Sequence, residues 1–305
     1  MNFRELASKW VEYKQMFVKR SSMSAYQLLI ENHLLPRFGN EEEIPENAVQ
    51  DFVLQKMKEG LSRKTAGDIL IVLKMILKFG QKQNIFNYQT LDDIVFPAEN
   101  VNKQLEVLTV AQTNTLIAYL RDNFTFRNLG ILIAVSTGVR IGELCALQWS
   151  DVDMERGVLT VQKTIQRIYI IEGGRRRTEV IMDDPKTSSS NREVPLSPDL
   201  IKILKPLMKI VKSDNYLLTN DDKPTEPETF RIYYRKLMAK LGLPRMKFHG
   251  LRHSFATRCI NANVDIKTVS VLLGHSNVST TLNVYTHPDL EQKKSAIHKM
   301  FKTLK

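Results

Sequence analysis

Residues 128–144 read NLGILIAVSTGVRIGEL, and this stretch organises the larger part of the chain. Its first twelve residues carry no charge, which predicts a buried helix that ends at Gly138. Twelve uncharged residues are too few to span a bilayer. A short second helix is predicted over residues 141–148, and it places Arg140 and Glu143 one turn apart beside the break.

Outside this stretch the chain also has mostly helical periodicity. The long segment 62–83 repeats apolar residues every three or four positions, with Ser62 as its expected cap. Strand-like composition predicts a three-stranded antiparallel sheet from residues 157–171, 177–182 and 192–196. The other predicted helices cover residues 5–17, 22–35 (stopped by Pro36 and Gly39), 45–57, 109–121, 199–211, 226–241, 250–262, 266–273, 276–284 and 289–302. The expected fold class is therefore mainly α with a small antiparallel β-sheet.

The length of 305 residues suggests two domains at about 150 residues each. Residues 84–106 have weak periodicity and contain a polar run, which is typical of a linker. We therefore predict a helical domain over residues 1–98, a linker over 99–106, and a second domain over 107–305 that ends in a tail helix.

The charge balance points to a polyanionic partner. The chain has 44 Lys and Arg against 33 Asp and Glu, a net charge of +11. The first hundred residues are balanced, so the whole excess falls in residues 101–305. A strongly basic protein of this kind favours nucleic acid as its partner, with a membrane surface as the second choice.

Several classes of protein are excluded by the remaining composition. The two cysteines, Cys145 and Cys259, lie far apart in apolar helical patterns and are expected to be buried, reduced thiols. No Cys or His spacing suggests a zinc site, so no metal is expected. The first residues contain no apolar core of a signal peptide. We therefore expect a soluble cytoplasmic protein.

Six residues could together perform phosphoryl transfer without a metal: Arg140, Lys186, His249, Arg252, His275 and Tyr285. Arginines bind two phosphate oxygens with a planar fork, and a histidine or lysine can move a proton. A tyrosine hydroxyl can act as the nucleophile, although free tyrosine is almost wholly protonated at pH 7. Each residue alone is ordinary as a cap, a surface charge or a core side chain. Only their occurrence together indicates an active site.

The order of these residues resembles that of the tyrosine recombinase (phage integrase) family, whose pattern is Arg, Lys, His-x-x-Arg, His or Trp, and Tyr. The flanking segments TGVRIGEL, PKTSSSNREVPL, FHGLRHSFAT and LLGHSNVSTTLNVYTH are similar as well. The resemblance is strong over about 107–290. The sequences of these segments most resemble those of phage and conjugative-transposon integrases. Residues 1–98 resemble the core-binding, SAM-like domain less specifically.

The resemblance implies a mechanism that needs no cofactor and no ATP. Tyr285 would attack a DNA phosphodiester and form a 3′-phosphotyrosyl link. Arg140 and Arg252 would clamp the phosphate, and His275 would hydrogen-bond to it. Lys186 would protonate the leaving 5′-oxygen and His249 would assist proton transfer. Glu143 resembles the acidic residue that supports this site in the family.

The resemblance also implies a two-domain clamp on double-stranded DNA at core recombination sites. Strand exchange would proceed through a Holliday junction in a homotetramer, with the tail of residues 289–305 docked on a neighbour. Accessory DNA-bending or directionality factors are possible further partners, and the bacterial protein would be nucleoid-associated when acting. The candidate DNA contacts, each also explicable as a solvated charge, are Arg63, Lys64, Lys74, Lys78, Arg175, Arg176 and Arg177.

These features predict a site-specific recombinase that integrates and excises a mobile element. An Xer-type chromosome or plasmid resolvase is one alternative, and a catalytically idle DNA-binding regulator on the same fold is another. A type IB topoisomerase would use the same chemistry, but the amphipathic tail disfavours it. Many such integrases carry a further arm-binding domain, so the chain is expected to be either a simple type or a shortened one.

Overall fold

The computed structural model describes residues 1–87, 90–98, 106–172, 174–183 and 191–285, together with residues 294, 297, 298 and 300–302. The chain divides into two compact units, residues 1–103 with 167–180 and residues 104–166 with 181–305. Helices dominate and the strands are few, which confirms the predicted fold class. The division at residues 98 and 107 stays a prediction. Among the described helices, none is both long and apolar enough to cross a membrane.

The first unit is built around one long helix. Its helices are α1 (Phe3–Lys14), α2 (Arg20–Leu29), α3 (Leu35–Phe38), α4 (Glu46–Lys58) and α5 (Arg63–Lys82). The Ser62 hydroxyl accepts a hydrogen bond from the backbone N–H of Thr65 at 3.2 Å, which confirms the predicted cap of α5. The apolar stripe of α5 is buried, with Leu73 and Ile76 fully inaccessible, so this helix forms the centre of the unit.

The prediction that Pro36 stops the second helix is wrong. After α2 the chain passes through a π-helical turn, Ile30–Leu34, and continues directly into α3. Proline breaks a helix because it lacks an N–H and clashes with the carbonyl of an earlier turn. The wider π turn ends just before α3, so Pro36 lies in the first turn of that helix, where no N–H is needed.

The predicted pairing of the strands is also wrong. The three-stranded antiparallel sheet has the order β1 (Val152–Asp153), β2 (Val158–Val161) and β5 (Arg192–Pro195). The ribbon of β3 (Thr164–Glu172) and β4 (Arg175–Asp183) is a separate two-stranded sheet. The single long strand that the composition predicted is interrupted at residues 162–163, where the Gln162 amide donates to an Asp151 oxygen at 3.1 Å.

Residues 167–180 of this ribbon belong to the first unit. The backbone N–H of Tyr169 donates to the Ser24 hydroxyl at 2.9 Å, and the Arg20 guanidinium pairs with the Glu179 carboxylate at 3.0 Å. Ile168 is buried. The ribbon is therefore held to α2 by polar contacts, and one of its apolar side chains is buried.

The second unit holds the apolar helix predicted around residues 128–137. Its helices are α6 (Val110–Asp122), α7 (Phe126–Thr137), α8 (Ile141–Ala146), α9 (Pro198–Leu207), α10 (Pro227–Lys240), α11 (His249–Asn261), α12 (Ile266–Leu273) and α13 (Val278–Tyr285). The predicted capping box of Thr109 and Gln112 opens α6 and is confirmed. Helix α7 is buried along nearly its whole length, so it forms the core against which the other helices pack.

The end of α7 at Gly138 provides a test of this packing. Gly138 has a φ of +69°, and an added Cβ would lie 2.7 Å from the Phe255 ring and 3.0 Å from a Leu273 methyl group. We expect Gly138→Ala to lower the free energy of unfolding of the second unit by about 2 to 3 kcal/mol, through left-handed backbone strain together with crowding.

Chemical unfolding followed by circular dichroism would measure this loss. Gly242→Ala is the matched control, because Gly242 also has a positive φ of +62° but an added Cβ would meet no atom within 4 Å. Only the strain of about 1 kcal/mol should appear there. Equal losses of unfolding free energy in the two variants would show that crowding against Phe255 and Leu273 does not contribute to the destabilisation.

Candidate active site

Arg140 lies between α7 and α8, where the chain leaves the buried helix. It is the N-cap of α8, and its backbone N–H donates to Oε2 of Glu143 at 2.8 Å. Its Nη1 donates to Oε1 of the same carboxylate at 2.7 Å, and its Nη2 donates to the carbonyl of Gly274 at 3.1 Å. The side chain remains 36% exposed, so the guanidinium is fixed on one side and open on the other.

Glu143 is the buried carboxylate of this site. Besides Arg140, it accepts hydrogen bonds from Nη1 and Nη2 of Arg192 at 3.2 and 2.8 Å. Burial alone would raise the pKa of Glu143, but the hydrogen bonds and charge of Arg192, together with Arg140, hold that pKa below its ordinary value. The carboxylate is therefore ionised and holds two guanidinium groups.

Arg252 lies at the base of the site with only 2% of its surface exposed. Its Nη1 donates to the carbonyl of Gly138 at 2.9 Å and its Nη2 to the carbonyl of Leu273 at 2.6 Å. Gly138 precedes Arg140 by two residues, so Arg252 contacts the same short connection between α7 and α8 that carries Arg140. Together they concentrate positive charge beside the exposed edge of Arg140.

The end of α12 receives three arginines on consecutive carbonyls. Arg192 donates through Nε to Leu272 at 2.8 Å, Arg252 donates to Leu273, and Arg140 donates to Gly274. The last carbonyls of a helix have no partner within the helix and carry partial negative charge. The C-terminus of α12 therefore organises the cationic side of the site.

His249 opens α11 and is exposed to solvent. Desolvation by the atoms packed against the ring lowers its pKa to about 4, and the nearby His253, Arg252 and Arg140 act in the same direction. The His253 ring lies edge-on to it, with centroids 4.6 Å apart. His249 is therefore neutral at pH 7 and can accept a proton.

His275 follows the end of α12 and is half-buried. Its Nδ1 lies 2.8 Å from the hydroxyl of Thr281 on α13, and Thr281 is fully buried. Desolvation lowers the pKa of His275 to about 4, assisted by Arg252 and Arg140. The ring is neutral at pH 7 and is oriented by the helix that ends at Tyr285.

The structure thus brings together four of the six residues that the sequence singled out, namely Arg140, His249, Arg252 and His275. Lys186 lies outside the described residues. Tyr285 is the last residue of α13, and the structure describes its helical backbone position but not its side chain. A cavity of about 550 Å³ adjoins Arg140 and His249 and carries the further cations Arg231, Arg235 and Lys247 on its lining.

The seven candidate DNA contacts lie in the first unit and differ in their surroundings. Lys64, which pairs with Asp68 at 3.0 Å, and Lys78 are exposed on α5. Lys74 is half-buried, and Arg63 donates to the carbonyl of Pro97 at 3.3 Å. The ribbon residues Arg175, Arg176 and Arg177 are all exposed.

Arg192 is the functional candidate that the sequence reasoning missed. Its position in the chain predicts only the first residue of a strand, yet its side chain is as buried as that of Glu143, at 4% exposure for each. Residues 192–195 alternate buried and exposed, so Arg192 shares the inward face with Val194. An arginine two residues before an inward-facing valine in a strand is the signal that could have identified Arg192 as a buried charge.

The family of the chain follows from comparison with known proteins. The phage integrase family model matches residues 106–292, and the model of the phage integrase N-terminal SAM-like domain matches residues 2–53. A XerC-like tyrosine recombinase of Caldanaerobacter subterraneus subsp. tengcongensis is 31% identical over an alignment 270 residues long, and the match covers 82% of this chain and 68% of that protein.

Two further similarities concern transposon proteins. The transposase of transposon Tn916 from Enterococcus faecalis is 27% identical over 72% of this chain, and the match spans 56% of that protein's length. A fragment of the Tn1549 transposon integrase, solved with transposon right end DNA, has the same fold, with a TM-score of 0.77 at 23% identity over 98% of this chain and 99% of that fragment. The chain therefore belongs to the phage integrase family and is a tyrosine recombinase of the integrase type.

Proposed function

We propose that this recombinase cleaves and rejoins double-stranded DNA through a 3′-phosphotyrosine at Tyr285, and that it integrates and excises a mobile element. The observation that carries the proposal is the arrangement of Arg140, Arg252, His249 and His275 around the end of α12, close to the helix that ends at Tyr285. Fixed cations facing one open edge suit a phosphate that gains charge in its transition state.

The proposed cleavage step is a transesterification. The Tyr285 oxygen attacks phosphorus and its proton passes to the neutral His249, while the bond from phosphorus to the 5′-oxygen breaks. Lys186 gives a proton to that leaving oxygen. Arg140 binds the phosphate oxygens from its open edge, Arg252 adds charge from the base of the site, and His275 hydrogen-bonds to the phosphate. One ester replaces another, so the energy of the bond is retained and neither ATP nor a metal takes part.

The remaining charge serves DNA binding. The excess of +11 belongs to the part of the chain with the proposed cleavage site, and the exposed cations of α5 and of the ribbon add contacts from the first unit. We propose that both domains, 1–98 and 107–305, grip core-site duplex DNA as a clamp. The solved Tn1549 integrase, whose fold this chain shares, is a complex with DNA.

The proposed biological role follows from the kinds of relatives that the chain has. The Tn916 transposase favours a mobile element, whereas the XerC-like relative keeps an Xer-type resolvase as the alternative. Strand exchange would take place in a cytoplasmic, nucleoid-associated homotetramer through a Holliday junction. The tail of residues 289–305 would dock on a neighbour, and DNA-bending or directionality factors would set the outcome.

Covalent capture on duplexes of random sequence tests the cleavage reaction and finds the core site at the same time. A library of nicked suicide duplexes with randomised sequence is incubated with the protein, and DNA that resists denaturing detergent is recovered and sequenced. We expect a protein–DNA adduct enriched in one core sequence. Failure to capture any duplex would overturn the proposal and favour the idle DNA-binding regulator. A plasmid with two captured sites then separates a recombinase from a topoisomerase, because only a recombinase joins the cleaved ends of one site to those of the other.

Salt dependence tests the role of α5 in binding. Changing Lys64 and Lys78 to Gln should reduce the slope of log affinity against log salt concentration by about 2, because each lost phosphate contact contributes about 0.9. Fluorescence anisotropy with the captured duplex would measure it. Lys9→Gln, which changes an exposed lysine of α1 that is not among the candidate DNA contacts, is the control. An unchanged slope in the double variant would remove α5 from the DNA interface.

A further inference from the structure

We propose that Arg192 is a positioning residue of the cleavage reaction, which links the carboxylate that holds Arg140 to the helix end that holds Arg252. The inference rests on the proposed function, because it concerns the rate of that cleavage. Its basis is the position of one buried guanidinium between Glu143 and α12.

Burial separates the role of Arg192, like that of Arg252 at the base of the site, from direct phosphate binding. The residue is 8% exposed and its side chain only 4%, whereas the Arg140 side chain is 36% exposed. A phosphate in the open site can meet Arg140 but has almost no access to Arg192. Any effect of Arg192 on catalysis must therefore pass through the groups that it touches.

Those groups belong to both halves of the cationic site. Nη1 and Nη2 of Arg192 form a two-bond pair with the carboxylate of Glu143, and Nε donates to the carbonyl of Leu272. A planar guanidinium can span these partners because its donors point in fixed, divergent directions. A lysine has a single nitrogen and cannot make the two-bond pair while also reaching the helix end.

The three consecutive carbonyls explain why this link matters. Leu272 accepts from Arg192, and the next two carbonyls accept from Arg252 and Arg140. A shift of the α12 end would therefore move Arg252 and Arg140 together, along with the helix α13 that follows. Arg192 connects the end of α12 to Glu143, and Glu143 in turn holds Arg140. We infer that Arg192 thereby fixes the distance between Arg140 and helix α13, which ends at Tyr285.

Arg192 also sets the charge of Glu143. Among the residues that the structure describes, the charged or titratable groups that face this carboxylate are Arg140 on the preceding turn, Arg192 on β5 and His249 on α11. Without Arg192, burial would dominate and the pKa of Glu143 would rise. Protonation of Glu143 would then release Arg140 from its ion pair. Activity of the variant would therefore be lost as the pH falls through the raised pKa of Glu143, whereas the wild-type rate would stay constant over that pH range.

The test compares Arg192→Lys and Arg192→Gln with a matched control. Arg258→Gln serves as the control, because Arg258 is half-buried and also bridges two elements, donating to the Thr113 hydroxyl at 3.1 Å and the Val135 carbonyl at 2.7 Å. Single-turnover cleavage of the captured suicide duplex is measured from pH 5 to 8 at saturating protein, alongside duplex affinity and thermal stability.

We expect Arg192→Gln to slow cleavage about 100-fold at pH 7 and to create a new loss of rate toward acidic pH, with duplex affinity changed less than about threefold. Arg192→Lys should restore part of the rate and shift the acidic loss to lower pH. Adding Glu143→Gln to Arg192→Gln should remove the acidic loss, because no carboxylate remains to titrate. Arg258→Gln should reduce stability and leave the shape of the pH profile unchanged.

A wild-type pH profile in Arg192→Gln would overturn the inference, and so would a rate loss that Arg258→Gln reproduces at matched stability. Absence of adduct from the wild-type protein would instead refute the proposed function. The two failures are therefore separate outcomes of the same assay.

Discussion

The Tyr285→Phe variant should bind the captured duplex as tightly as the wild-type protein and form no covalent complex with it. Removing one hydroxyl removes the only nucleophile in the proposed reaction, and the phenyl ring retains the apolar part of the side chain. Water would have to attack the phosphodiester in its place, so we expect the cleavage rate to fall below detection, by at least about 10⁴-fold. A denaturing gel with end-labelled suicide duplex measures the loss.

Tyr119→Phe is the matched control for this variant. The Tyr119 hydroxyl lies in the same unit and accepts a hydrogen bond from the Lys240 ammonium at 2.7 Å, but it has no part in the proposed chemistry. This variant should form adduct at the wild-type rate. Adduct that persists in Tyr285→Phe would show that another residue attacks the phosphate.

The second large effect is expected from Arg140→Gln. Arg140 is held by Glu143 and the Gly274 carbonyl and keeps an open edge, so it can bind a phosphate with little reorganisation. A glutamine cannot offer a charged, two-bond donor to the transition state. We expect single-turnover cleavage to fall about 10³-fold, with affinity for the duplex changed only a few-fold.

Arg140→Lys and Arg231→Gln refine this test. Lysine keeps the charge without the planar fork, so it should recover at most about tenfold of the rate. Arg231 lines the same cavity, but it is exposed and pairs with Glu228 at 2.7 Å. Its loss should weaken duplex binding and leave the rate at saturation unchanged. Equal rate losses in Arg140→Gln and Arg231→Gln would show that general positive charge, not the fixed arginine, promotes cleavage.

Local signals predicted the helices well, because capping and glycine termination act within a few residues. The Thr109 and Gln112 capping box, the Ser62 cap and the end of α7 at Gly138 lie where the sequence placed them. The errors arose where one element depends on another. The π turn before Pro36 relieves a clash that the proline alone would cause, and its presence cannot be read from periodicity.

The strand errors have a similar origin. Residues 157–171 have one strand-like composition throughout, but pairing with β5 uses only Val158–Val161, and the remainder forms the ribbon. Part of that ribbon joins the first unit through Ser24 and Arg20. Pairing between distant strands is decided by packing across the chain, which composition does not reveal.

The order of the motifs along the chain predicted the residues of the candidate site but not the contacts between them. Arg140 and Gly274 are 134 positions apart, and Arg192 and Leu272 are 80 apart. No local sequence pattern predicts that three arginines donate to the carbonyls at the end of α12. The contacts of Arg192 could therefore be identified only from the fold. The proposed chemistry could be predicted from the sequence because each step needs a side chain of one or a few types. The supporting role of Arg192 could not, since many residue types can begin a strand.

The most direct measurement is the identity of the bond between protein and DNA. Wild-type protein is captured on the suicide duplex, digested with trypsin and nuclease, and analysed by mass spectrometry. Residues 268–293 form one tryptic peptide with a single tyrosine, Tyr285. We predict that this peptide carries the nucleotide as a 3′-phosphate ester on Tyr285 and that the released strand has a free 5′-hydroxyl. A nucleotide on any other residue, or a link through a 5′-phosphate, would contradict the account.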